Sequence, residues 1–163
     1  MSIYPMHLRY HTAWLNLDME VLRATLESRM YAAIISVAVS VIFLAAAWVT
    51  PSDRGVGTHH QLGLPTCSWI VAADIPCPTC GMTTSFSHAV RGQFLQSLVT
   101  QPMGLVIAIG TFLIGVIAIF TTITGRSLAL IWMPFCGRKY IILLGIFAIL
   151  AWGFKILDYR GVF

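Results

Sequence analysis

The chain has 163 residues, of which 58% are hydrophobic and 10% charged. A soluble domain averages about 25% charged residues because its surface must be solvated. The composition argues against an ordinary water-facing domain and for a bilayer. The net charge is +4, but the ten Lys and Arg are scattered. No basic stripe of the kind nucleic acid requires is present, and these residues read as flanks of membrane spans facing anionic headgroups.

Residues 1–29 form a polar lead-in of mixed charge. Leu22, Leu26 and Met30 recur at spacing four, which predicts a short amphipathic helix over residues 19–30, with Asp18 as its N-cap. An uncharged apolar run follows at residues 30–49. About 20 residues at a rise of ~1.5 Å span a hydrocarbon core. A secretory signal is the rival reading, but its apolar region is only about 7–15 residues long. Ala32, Ser36 and Ser40 make a small-residue stripe suited to close helix contact.

Residues 60–102 form a segment too interrupted to span alone. Pro65 and Pro76 break its first part, which is expected to lie in the interface or to re-enter shielded by protein. Phe86, Val90, Phe94 and Leu98 recur every four residues, predicting one helix over 83–100 that Gly92 weakens and Pro102 ends. Second and third spans are expected at 103–123 and 140–157. Lys155 is expected to snorkel to water, with Trp152 and Tyr159 as interfacial anchors. The fold class is thus an all-α membrane protein with three transmembrane helices and short interfacial or re-entrant helices between the first two. The N-terminus and second loop carry six Lys and Arg against four on the other side. This predicts an inner (plasma) membrane protein with a cytoplasmic N-terminus and an external cysteine segment.

Cys77-Pro78-Thr79-Cys80-Gly81 is the one sharp chemical motif. Three readings stay open. As a redox pair, Cys77 and Cys80 would exchange a disulfide with a partner or quinone, with Cys67 as resolving thiol. A helix starting at the motif would stabilise a Cys77 thiolate. As a zinc site, Cys77 and Cys80 would need further ligands, with Cys67, His59, His60 and His88 as candidates. As a structural turn, Cys77, Pro78 and Gly81 would seat the next helix. Asp74 is expected to cap that turn. His59-His60 reads as a solvated loop, and Cys136 as a packing residue. No phosphate loop, zinc-protease helix or nucleophile elbow appears, and the reading leans away from an enzyme. A structural or partner-associated membrane subunit leads.

Ile75-Pro76-Cys77-Pro78-Thr79-Cys80-Gly81-Met82-Thr83, Arg91-Gly92-Gln93-Phe94 and Gln101-Pro102 before an apolar span resemble the domain of unknown function 2752 family, across about residues 60 to 125. These are small bacterial membrane proteins with a Cys-Pro-x-Cys-Gly-x-Thr-Arg core. The resemblance implies membrane location and the unity of motif and following helix, but no reaction. Thr84 stands where the family has Arg, and Gln101 where it has Asn before Pro102. An Arg serving an anionic ligand or thiolate would then be missing, or replaced by Arg91.

Overall fold

A computed structural model describes residues 25–126 and 137–161. The expected lead-in helix, Asp18 and Cys136 lie outside the described residues.

Among the described residues six α-helices follow in order: α1 (Leu26–Trp48), α2 (Ser68–Ala73), α3 (Met82–Val90), α4 (Phe94–Thr100), α5 (Pro102–Thr124) and α6 (Arg138–Tyr159), with a 3₁₀ turn at Thr58–Leu62 before α2. Helices α1, α5 and α6 are 23, 23 and 22 residues long and apolar enough to cross a membrane. Their side chains are mostly exposed, as lipid-facing helices require when no neighbour covers them. The chain is therefore an all-helical, multi-pass membrane protein. Helices α5 and α6 run one or two residues past the expected bounds at each end, whereas α1 begins four residues earlier and ends one residue short. Thr25 caps α1, its side chain accepting from Ser28 N at 3.2 Å. Arg29 donates to Thr122 O at the far end of α5.

The α1–α5 contact rests on small residues, and most of them lie on α5. Ala108, Gly115, Ala118 and Thr121 are buried. A Cβ on Gly115 would sit 2.7 Å from Val39 Cγ1. Without a hydrophobic drive between helices in lipid, such close approach is the main source of attraction. Of the stripe expected on α1, Ala32 is buried, whereas Ser36 and Ser40 bond back to carbonyls of their own helix.

The helix expected over 83–100 is two helices. Gly92 takes φ +73° and turns the chain between α3 and α4. The row of four-spaced apolar residues is split by that turn: Phe86 is buried, while Phe94 and Leu98 are exposed. Helix α3 is the hub of the motif segment, with Thr84, Ser85, Phe86 and Ser87 in succession all buried. It packs on α1, α4, α5 and the 3₁₀ turn. Pro102 opens α5 at its first turn, where a missing N–H costs nothing.

One sequence expectation for α6 is corrected. Lys155 is fully buried and pairs with Asp158 Oδ2 at 2.8 Å. It turns inward because Gly55 and Gly81 leave it room: Cβ atoms there would lie 2.8 Å from its Nζ and 3.3 Å from its Cε. Trp152 is held by protein, donating from Nε1 to Pro76 O at 2.9 Å.

Candidate functional site

The motif segment lies across one end of the bundle, between the C-terminus of α1, the N-terminus of α5 and the C-terminus of α6. Three anchors hold it there. Arg91 donates to Ala46 O, Ala47 O and Val49 O, the orphan carbonyls at the end of α1. Trp152 and Tyr159 bind from α6, Tyr159 donating to Asp74 Oδ1 at 3.1 Å. Gln101 Nε2 donates to Pro78 O at 3.0 Å from the start of α5.

Below the motif, buried hydroxyls accompany a small apolar cluster of Ala46, Phe86 and Ala108. Thr58 and Thr84 pair at 2.7 Å, and Ser85 and Ser97 at 2.8 Å, all fully buried. Ser87 donates to Val49 O at 2.7 Å. Ser85 fits against α5 because Gly104 has no Cβ, which would fall 2.7 Å from its Oγ. The signal in the sequence was the density of hydroxyls at 83–87. So many on a short helix suit a buried polar contact better than a lipid face.

On this base the motif folds as turns. Cys80 N donates to Cys77 O at 2.9 Å, and Met82 N to Thr79 O at 3.1 Å. Gly81 then takes φ +85° as the N-cap of α3. The helix therefore begins after the motif, and the expected dipole effect on Cys77 is corrected. Cys67 holds the helix-start position instead, as N-cap of α2.

The structure brings Cys67 to the pair. The three Sγ atoms of Cys67, Cys77 and Cys80 all lie within 4.8 Å of one another. Cys80 is buried and the other two are half-buried. Burial pushes the Cys67 thiol up, but the N–H groups of Ile70 and Trp69 and the thiols of Cys77 and Cys80 outweigh it and bring Cys67 down to about 7. Cys80 is pushed up to about 12, by burial first and then by the hydrogen bonds it shares with Cys77 and Cys67.

A cavity of about 1420 Å³ opens beside the cluster, and Cys67, Cys80, Arg54, His59, His60 and His88 are among its lining. His88 stands apart from the sulfurs, its Nδ1 2.7 Å from Gln93 Oε1. His59 and His60 stack with ring centroids 4.5 Å apart and bond Pro65 O and Leu64 O. Asp74 ends α2 at φ +51°, its carboxylate engaged by Tyr159. Thr83 is half-buried, and Thr84, at the family's Arg position, bonds Thr58 inside the segment. Arg91 donates to the carbonyls at the end of α1.

Residues 67–116 match the model of a family described as "Protein of unknown function (DUF2752)". No curated protein and no solved structure matches the chain.

Proposed function

We propose, for a chain whose residues 67–116 match the model of the DUF2752 family, that this membrane protein holds a zinc-class ion on the thiolates of Cys67, Cys77 and Cys80. The single observation behind this reading is the convergence of three sulfurs within 4.8 Å. Zinc–sulfur bonds of about 2.3 Å put thiolates sharing one tetrahedral ion about 3.8 Å apart. A soft cation uses all three sulfurs at once. The sulfurs come from two segments, so one ion would clip the start of α2 to the motif turn. The role is that of an accessory or structural membrane subunit, with the ion as part of its fold. The basic-residue asymmetry supports a cytoplasmic N-terminus and an external site.

Metal analysis of the protein purified in detergent tests this. One zinc per chain is expected, and it should be lost in each of Cys67→Ser, Cys77→Ser and Cys80→Ser. Metal-free protein with three freely alkylated thiols, unable to take up added zinc, overturns the reading.

A second reading has its own observation, the contrast between Cys67 near 7 and Cys80 near 12. In thiol–disulfide exchange, a Cys67 thiolate would attack a partner disulfide, and Cys80 would resolve the mixed disulfide. The partner would leave as two thiols and the chain would keep a Cys67–Cys80 disulfide. Alkylation that increases after reduction, without metal, would favour this reading.

A further inference from the structure

Resting on the zinc reading, we infer that the site keeps one exchangeable coordination position that opens on the cavity and accepts a small neutral nitrogen donor of the imidazole class. Zinc takes four ligands, and a site with only three from the protein fills the fourth with water or an incoming ligand. Among the described residues, the cluster gathers three cysteines and no His, Asp or Glu. His59, His60 and His88 line the cavity, yet none of them joins the cluster of sulfurs. The open side is defined by burial. Cys67 and Cys80 line the cavity of about 1420 Å³, which is far larger than one water requires.

Charge selects the donor. Three thiolates on a divalent ion leave one net negative charge. Of the cavity's charged side chains, Arg54 and Asp53 balance, and Asp158 is paired with the buried Lys155. Among the described residues that line the cavity, fixed charge leaves no net positive to stabilise a fourth thiolate. Water or imidazole adds no charge and is favoured.

X-ray absorption on zinc-loaded full-length protein reads the coordination directly. Three sulfurs at about 2.3 Å and one oxygen or nitrogen at about 2.0 Å are expected. Imidazole should add ring scattering that saturates at one per zinc, and a small thiol at equal concentration should not raise the sulfur count. His59→Ala, His60→Ala and His88→Ala should leave the zinc-loaded spectrum unchanged. Four sulfurs in the wild type, falling to three in Cys136→Ser, would overturn the inference and leave the zinc site standing. Ring scattering without added imidazole, lost in one of the histidine variants, would overturn it in the same way. Protein that takes up no zinc would overturn both.

Discussion

A Cβ on Gly81 would lie 2.7 Å from Gly55 O, and its φ of +85° belongs to the left-handed region. Backbone strain alone costs a side chain there about 1–2 kcal/mol, and Gly55 O is main chain that cannot swing aside. Gly81→Ala should lower the thermal midpoint in detergent well beyond Gly63→Ala, which keeps a positive φ but meets open space. Equal loss in both would mean that the contact with Gly55 carries no weight. The thiols make a second prediction. In reduced, metal-free protein at pH 8, Cys67 at about 7 is largely thiolate, and Cys80 at about 12 stays protonated. Iodoacetamide should label Cys67 with a rate that rises through pH 7 and levels off above it, and Cys80 should react last. Mass spectrometry of the labelled peptides checks the order. The sequence made the Cys77–Cys80 spacing legible because that contact is local. Cys67 lies ten residues back, beyond Pro76, and only the placement of α2 brings it in. For Lys155 the snorkelling expectation followed from its place near a span end. Its inward path depends on two glycines from distant segments.

Helix ends were the harder part to read than helix existence. Hydropathy located α1, α5 and α6 because a bilayer imposes length and apolarity on every residue of a span. The 83–100 region failed as one helix because a four-residue apolar period continues across Gly92 in the sequence while the backbone turns there. What Arg91 does was also hidden, since its partners are carbonyls some 45 residues upstream. Those carbonyls end α1 and have no partners within that helix. Arg91→Met keeps length and removes the donors, and should cost about 1–2 kcal/mol and loosen α3 from α1. Hydrogen exchange should then rise at the C-terminal turn of α1 and in α3, while α6 stays unchanged. A uniform rise across the chain would contradict this local role.

At the scale of the molecule, three apolar helices and a polar cap leave little surface for water. The chain should remain in the membrane fraction after carbonate washing, and recovery in the soluble fraction without detergent would overturn the membrane assignment. A reporter fused at the N-terminus should report the cytoplasm, and one inserted at Arg54 the opposite side. A cytoplasmic Arg54 reporter would place the thiols in a reducing compartment, which leaves the zinc reading intact and removes support for disulfide exchange.

The anchoring of the motif segment by α6 has a consequence in time. Pro76 O, Asp74 and the pocket of Gly55 are engaged by Trp152, Tyr159 and Lys155, all in the last turns of α6. A ribosome making the chain delivers the three cysteines long before these residues. Until α6 inserts, the nascent protein presents its thiols on an unsealed segment, open to oxidants and to wandering cations. The site can take its final shape only once α6 has been made, so α6 acts as a late seal on a cluster encoded much earlier.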